Sequence, residues 1–487
     1  MAFAVSVGMS RYFQIAIAGC FLSVSGSMWA QSPPPSPGAV WHDAAEQKLK
    51  HELSSLPQMK YPTDANKTYT LAELVDVAEQ HNPETRVAWQ RAKERAAALG
   101  VARSALFPTV AAVAVANTTR TRILFNSAFF RQTYGVFSPN VHMEYLVLDF
   151  GERSGAIDEA KAHLLAADMA FNDVHRKIIF ETMASYYRLL NAIGQRGAAE
   201  VSLKNAQAVQ EDAQDRLNHG LGTKPDALEA QAVTAQAEYD LQAAIGAEEI
   251  SRGDLMTILG LPPDTRLQVE DITRLNLPGE LAENVDAAIE RAFEQRPDLK
   301  AQLANLRVED AAMKRARSAY FPSLSFSGDG GATRQYGRQE LLAPAYVGGE
   351  TWNVSLALKW TLFDGTRREH EVAETKAARL ATQAEIDSLR DQIANEVWAA
   401  YSNMKTAQRQ QQAAAALLVA ADESYASAHE SYSYGVRNLL DVVAAQKALA
   451  VARSEDVSAR TQLLLQTANL AFETGDLISA PPRKVGP

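Results

Sequence analysis

The 487-residue chain has a single cysteine, Cys20. Beyond that position it can form neither a disulfide nor a thiolate metal site. Positive charge is in deficit: 48 Lys and Arg against 58 Asp and Glu give a net charge of −10, with a pI near 5.5. No basic run stands out, so a nucleic-acid surface is excluded and no nucleic-acid partner is expected. Past Ala30 no apolar run reaches the ~18 residues of a membrane-spanning helix, and the mean hydropathy of −0.21 is that of a soluble chain. A β-barrel remains open, because its strands are short and alternating and barely register in hydropathy.

Catalytic and cofactor signals are also missing. The histidines of the mature chain form no close ligand pair and there is no Gly-x-Ser-x-Gly elbow, so no metal, cofactor or enzymatic activity is expected. Gly220-Leu221-Gly222-Thr223-Lys224 resembles a phosphate loop only superficially. It lacks the required spacing and a preceding strand, and Pro225 stands where the helix would begin.

The N-terminus has the form of an export signal, residues 1–30. Arg11 precedes an apolar run from Tyr12 to Val24, followed by small residues and a cleavage point near Ala30, and Met9 is an alternative start. Cys20 lies in Ile17-Ala18-Gly19-Cys20, which has the pattern of a lipoprotein box, so it is either a lipidation site or a small residue within the signal. Residues 31–68, beginning with Ser32-Pro33-Pro34-Pro35-Ser36-Pro37, are expected to be an extended or partly disordered leader.

The rest of the chain contains itself twice. Arg103-Ser104-Ala105-Leu106-Phe107-Pro108 returns as Arg317-Ser318-Ala319-Tyr320-Phe321-Pro322, an offset of 214 residues. The same offset maps Asn82-Pro83-Glu84 onto Arg296-Pro297-Asp298, Gly151 onto Gly365 and Tyr187 onto Tyr401. A one-residue insertion after that point pairs Gly220 with Gly435, Asp226 with Asp441 and Gly260 with Gly475. Two structural repeats, 69–264 and 284–477, follow, with a connection at 265–283 and a tail at 478–487.

Each repeat reads helix, strand, strand, long helix, helix. Thr366 to Tyr434 has no Gly or Pro, and carries a seam of Ile386, Leu389, Ile393, Val397, Ala400 and Met404 at spacings of three and four. Glu152 to His219 lacks Pro and shows Ile179, Met183, Tyr186 and Leu190. Such seams imply coiled-coil partners. Tyr186, Tyr187, Trp398 and Tyr401 are expected to pack helices. Leu71 to Leu106 should bend or restart at Pro83, and Asp226 to Gly260 stops at Gly260-Leu261-Pro262-Pro263.

Among the strands, Trp352 to Phe363 alternates most clearly, with Trp352, Val354, Leu356, Leu358, Trp360 and Leu362 on one face. Trp at both ends of that face fits a membrane-interface girdle. The strand before Gly151 is less regular, with His142 and Glu144 at positions matched to apolar ones. Val110 to Asn117 and Leu324 to Gly330 are read as the other strands, with 118–138 and 331–350 as exposed loops. Four short strands cannot enclose a lumen, so several chains must contribute.

Signal, duplication, paired strands and long helices together resemble the TolC-like outer-membrane efflux family, over about residues 69–477. The most specific signs are the Phe-Pro strand starts, the Leu362-Phe363-Asp364-Gly365 junction and the turns at Gly220 and Gly435. The resemblance implies an α+β membrane protein: a homotrimer whose strands, four per chain, close one 12-stranded barrel in outer-membrane lipid, continued by a coiled-coil tunnel across the periplasm. It also implies a periplasmic adaptor and an inner-membrane pump of the RND or ABC type as partners.

By the same resemblance Tyr432-Ser433-Tyr434-Gly435-Val436-Arg437 is an inner-tip motif. Tyr432 and Arg437 would bond to Asp226, the arginine across a subunit boundary, and hold the tip shut. Asp441 would form a lumenal carboxylate ring favouring cations. The second acid often found one turn on is here Ala444, so a blocking cation should bind more weakly. Gly220 and Gly435 would sit where an adaptor meets the tunnel. The implied function is the outer-membrane channel of a tripartite efflux system for small toxic compounds. The alternatives are the exit duct of a type I protein secretion system and, in another class, a periplasmic coiled-coil scaffold without a pore.

Overall fold

The computed structural model describes residues 44–55, 67–125, 128–270, 277–279, 284–339 and 342–478. The export signal, Cys20 and the proline-rich start of the leader lie outside them. The chain divides into two units at Thr63. In the first unit the described part is a helix, α1 (Ala44–Ser55), where the sequence reading expected an extended or partly disordered leader. Its run of Ala, Glu, Gln, Lys and Leu has high helix propensity, which outweighs the neighbouring prolines.

In the second unit the first repeat comprises β1 (Thr68–Tyr69), α2 (Leu71–His81), α3 (Pro83–Ser104), β2 (Thr109–Phe125), β3 (Ala128–Leu148), α4 (Glu152–Asn218) and α5 (Lys224–Ile258). The second comprises β4 (Gln268–Val269), α6 (Val285–Gln295), α7 (Pro297–Ser318), β5 (Ser323–Gln339), β6 (Ala345–Lys359), α8 (Arg367–Ser433) and α9 (Leu439–Thr474). The expected break at Pro83 is present. Asn82 ends α2 and caps α3, its side chain accepting from the Glu84 N–H, with Pro83 in the first turn where its missing N–H costs nothing. The short parallel pair β1–β4 joins the two repeats and has no strong sequence signal.

Both long helices contain 67 residues, about 100 Å at 1.5 Å per residue. On α8 the expected seam is the packed face: Ile386, Ile393, Val397, Ala400 and Met404 are all buried. Each of the large aliphatics contributes on the order of 1.5–3 kcal/mol by leaving water. The seam of α4 runs differently from expectation, with Ile178, Tyr186, Leu189 and Leu190 buried and Ile179 and Met183 half-buried. The helix packs on α3 and α7 as well as on α5 and α9, so its covered surface is wider than one stripe.

Equal helix lengths also correct the repeat alignment. Glu152 corresponds to Arg367 and Asn218 to Ser433, so the offset is already 215 along the whole of α4 and α8. Tyr401 therefore matches Tyr186 rather than Tyr187, and Trp398 matches Met183. Trp398 is 56% exposed within the protomer. Strand register places the insertion in the hairpins: Thr109 pairs with Glu144 and Ser323 with Lys359.

A four-stranded antiparallel sheet, in the order β2-β3-β5-β6, forms one end of this unit. Its strands run well past the expected limits, and 118–138 and 331–350 are mostly strand rather than loop. In the corrected register His142 and Glu144 match Ala357 and Lys359, on the polar face of β6, so β3 alternates as cleanly as its partner.

Candidate functional site: a two-faced sheet, a waist and a tip

Directly paired residues in an antiparallel sheet share a face. One face carries Val110, Ala112, Ala114 and Ala116 on β2 and Phe137, Val141, Met143 and Tyr145 on β3. Leu324 and Phe326 on β5 and Trp352, Val354, Leu356 and Leu358 on β6 continue it. Aromatics bracket this apolar band at both ends, Phe137 and Trp352 at one and Tyr145 and Trp360 at the other, the corresponding residues of the two repeats. Trp352 is 82% exposed and Trp360 58%, the latter donating Nε1–H to the Tyr320 carbonyl at 3.2 Å. The eight-residue step between them spans ~27 Å of strand, or ~20 Å of height at ~40° tilt, somewhat less than the ~25 Å apolar band of an outer-membrane barrel.

The opposite face is polar. His142 Nδ1 lies 2.7 Å from Asp329 Oδ1, and the Ser138 and Thr333 hydroxyls are 2.7 Å apart. Asn140, Glu144, Ser325, Ser327, Asn353, Ser355 and Lys359 share that face. The outermost strands, β2 and β6, each have one ladder of N–H and C=O groups with no partner strand among the described residues.

At each strand-to-helix junction the two repeats build the same arginine staple. Arg153 Nε donates to Asp149 at 2.8 Å, with its other nitrogens on the Ala105 and Val147 carbonyls. Arg368 does the same with Asp364 at 2.8 Å and with Ala319 and Leu362. Burial would raise the Asp149 pKa, but the bonds from Arg153 hold it below the usual range. The sequence reading noted Asp364 only as part of a junction and missed its partner.

At the waist the returning helices α5 and α9 meet the breaks between α2 and α3 and between α6 and α7. Arg296 is buried and donates to Asp298 at 2.7 and 3.1 Å, to Glu396 at 2.7 Å and to Glu473 at 3.0 Å. Arg176, fully buried, bonds to Asp173 at 2.8 and 3.0 Å and to the Phe472 carbonyl at 2.9 Å, with its guanidinium 4.2 Å from the Phe472 ring centre. Burial would raise the Asp298 pKa, but the bonds from Arg296 lower it overall. Glu473 moves the other way: burial, with Glu396 beside it, raises its pKa despite Arg296. No part of this network was found from sequence. Its local pairs, Asp173 with Arg176 and Arg296 with Asp298, are joined to Glu396, Phe472 and Glu473 only across 100 residues or more of chain.

The tip contains both expected glycine turns. Gly220 and Gly435 have φ of +70° and +76°, conformations that L side chains rarely adopt. Leu221 and Gly222 N–H groups donate to the Arg216 carbonyl, and Val436 and Arg437 N–H groups to the Ser431 carbonyl, the same geometry twice. Asp226 closes a capping box on α5, accepting from Thr223 Oγ1 at 2.6 Å and Thr223 N at 3.2 Å. Asp441 lies exposed in the first turn of α9, its N–H donating to the Asn438 cap at 2.9 Å.

Tyr432 is buried among Val209, Ala213, Ala230, Ala428, Leu439, Val442 and Val443. Within the chain it makes no hydrogen bond to Asp226. What holds it is Arg216, which the sequence reading missed. This guanidinium donates to the Tyr432 carbonyl at 2.7 Å and lies 4.8 Å from the ring centre. Burial raises the Tyr432 pKa, and Arg216 opposes the shift while Asp226 and Asp212 reinforce it. Arg437 is exposed and has no ion pair among the described residues.

A two-faced sheet with unpaired edges, carried on helices about 100 Å long that end in a doubled turn, defines a membrane channel with a periplasmic extension. The comparisons with known proteins agree. A model described as "Outer membrane efflux protein" matches residues 74–261 and 288–476, one segment in each repeat, and the chain belongs to that family. It is 27% identical to Protein CyaE of Bordetella pertussis over 94% of both chains. It is 23% identical to outer membrane protein OprJ of Pseudomonas aeruginosa over 85% of both. Among solved structures, the Campylobacter jejuni CmeC outer membrane channel superposes with a TM-score of 0.71 at 18% identity, covering 91% of this chain and 94% of that one. The protein is an efflux conduit of the outer membrane that extends into the periplasm.

Proposed function

We propose that the protein is the outer-membrane channel of a tripartite efflux system, a homotrimer that passes small toxic compounds from an inner-membrane pump to the exterior. The observation that carries this reading is the sheet: its apolar face is exposed and its two edges are unpaired among the described residues of the chain. Neither edge can stand open in lipid, where each unsatisfied backbone group costs several kcal/mol. Pairing β6 of one protomer with β2 of the next removes both edges, and three four-stranded sheets make a closed barrel of twelve. A pore-less scaffold gives no reason for that apolar face.

At the tip, Arg437 projects toward a neighbouring protomer, where Asp226 is its partner, and with Tyr432 the pair forms the gate. Asp441 supplies the lumenal ring. Gly220 and Gly435 mark the surface where a periplasmic adaptor joins the tunnel to a pump of the RND or ABC type.

Single-channel conductance in planar bilayers tests this. The wild type should give a small cation-preferring conductance that rises clearly in Arg437→Ala. A pore unchanged by the substitution removes the gate but keeps the channel, and no pore at all rejects the reading. Deleting the gene should sensitise cells to small toxic compounds. If one secreted protein is lost instead, the duct serves type I secretion.

A further inference from the structure

Between waist and tip, α9 packs across α4. Gln195 Nε2 donates to the Ser454 carbonyl at 2.8 Å, and the Ser454 hydroxyl donates to Gln195 Oε1 at 2.8 Å. Thr461 Oγ1 donates to Asn191 Oδ1 at 3.2 Å. The helices approach closely, since a Cβ on Gly194 would lie 2.5 Å from Val457 Cγ1. Under the 215-residue offset α4 corresponds to α8, and α9 to α5. The duplication therefore requires a contact between α8 and α5. Within the chain the four helices pack in the order α5-α4-α9-α8, which leaves those two at the ends of the row.

The faces that would form this contact are bare. On α8, Thr406, Arg409, Gln410 and Ala413 are exposed, where Asn191, Gly194, Gln195 and Ala198 are half-buried on α4. On α5, Tyr239 is 72% exposed where Ser454 is half-buried, and Gln231 is exposed where Gln446 is buried. Gln410, Ala413, Ala414 and Leu417 line a groove on α8. Their equivalents on α4 line one whose further wall is α9.

The two faces also differ in charge. Between Trp398 and Leu417 the charged residues of α8 are Lys405 and Arg409. Both are exposed, with no ion pair among the described residues. Between Gln231 and Gly246 the charged residues of α5 are Glu238 and Asp240.

We infer that the contact is made between copies of the chain. Helix α8 of one protomer packs on α5 of the next, with Gln410 bonded to the partner's Tyr239 and Arg409 beside the partner's Glu238. The inference rests on the trimeric channel reading, in which β6 brings α8 to that same neighbour, and it names the helices and side chains that seal the tunnel wall. Gln410 and Tyr239 are the equivalents of Gln195 and Ser454. Arg409 and Gln242 replace Gly194 and Val457, so these helices stand further apart. Tyr239 is longer than serine and spans the wider gap, and Glu238 lies one turn from Gln242, within reach of Arg409.

The test uses full-length protein in outer-membrane vesicles, carrying cysteine pairs and treated with a short bismaleimide. Gln410→Cys with Tyr239→Cys should give a covalent trimer on a denaturing gel and no band above it. Gln195→Cys with Ser454→Cys, the equivalent pair within one chain, should link internally and run as a monomer. If that second pair links and the first gives no trimer, the inference is overturned. Bands beyond trimer overturn it too, as does equal trimer from either single-cysteine variant, which would report Cys20. Independently, Arg409→Glu should lower the temperature at which the trimer dissociates, and Glu238→Arg in the same chain should recover most of the loss. No recovery overturns the ion pair. A cross-linked trimer that forms no pore keeps the interface and rejects the channel, whereas a conducting protein without the cross-link condemns the interface alone.

Discussion

At the waist of the first repeat the break between α2 and α3 is closed by Asn82, whose amide donates to the Ile258 carbonyl at 2.9 Å while its oxygen caps α3. At the waist of the second, Arg296 takes the place of Asn82 and Glu473 that of Ile258, and four charged side chains occupy the junction that one amide serves in the first. Glu396 is hydrogen-bonded to Arg296, whereas its counterpart Glu181 has Glu84 nearby, whose repulsion Lys177 and Arg188 only oppose. Duplication preserved the backbone geometry and let its chemistry diverge. A neutral amide needs only uncharged backbone partners, while a buried guanidinium requires every carboxylate around it to stay in place. The second waist is therefore the more brittle of the two.

The sharpest way to break this comparison is to remove each centre in turn. Arg296→Met leaves Glu396, Glu473 and Asp298 without their buried cation and should cost about 3–5 kcal/mol. Asn82→Ala should cost only about 0.5–2 kcal/mol, the usual loss of a helix cap. Thermal unfolding of the two variants in detergent decides the matter, and equal losses would show that the charge network is no more critical than the cap.

The next contrast lies between waist and tip. Gly260 has φ of +71° and a Cβ there would meet the His81 carbonyl oxygen at 2.8 Å, whereas Gly220, at φ +70°, has open space around it. Strain alone should cost Gly220→Ala about 1–2 kcal/mol. Gly260→Ala should cost more, because backbone must also move. Denaturant midpoints of the paired variants check the order.

At the tip the asymmetry is reversed, since the first repeat holds the charged residue: Arg216 corresponds to Ser431. Arg216→Ala removes two carbonyl contacts and a cation–π contact and should cost about 1–2 kcal/mol. Ser431→Ala should stay within about 0.5 kcal/mol. Hydrogen exchange across residues 209–225 and 425–443 should rise in the first variant only.

The smallest effect concerns pH. Glu181 and Glu473 both titrate above the ordinary 4.5, chiefly through burial. Each therefore stabilises the fold below that value and loses the contribution as pH rises through its folded pKa. Asp298 is lowered from 3.8, so its contribution is present above that value and lost as pH falls through the depressed one. Melting temperature should rise slightly from pH 7 toward 5 and drop only in stronger acid. Glu181→Gln should gain less than about 0.5 kcal/mol at neutral pH, since the carboxylate is partly solvated. That gain should vanish near pH 4.

Local signals were legible in the sequence. The unbroken apolar seam through Ile386, Ile393, Val397 and Met404 specified a long helix, and Gly220 and Gly435 specified its ends. Trp352 to Trp360 declared a two-faced strand. Each of these depends on spacing within one segment. The site was legible only where it was local: both tip turns were found, but Arg216 was missed because its contact with Tyr432 spans 216 residues of chain.

Strand register is a pairwise property. It moved the insertion into the hairpins, and with that changed the faces assigned to His142 and Glu144. It also extended the strands through the polar 118–138 and 331–350, where cross-strand pairing outweighs composition. The amino-acid sequence by itself determined the duplication, visible as a repeated string, and the helix lengths, the turn positions and the alternating strand, each encoded by residues within one segment. Only the tertiary structure decided the waist network and the Arg216 clamp. Those depend on which faces of distant segments meet, and a one-residue shift in register changes the answer.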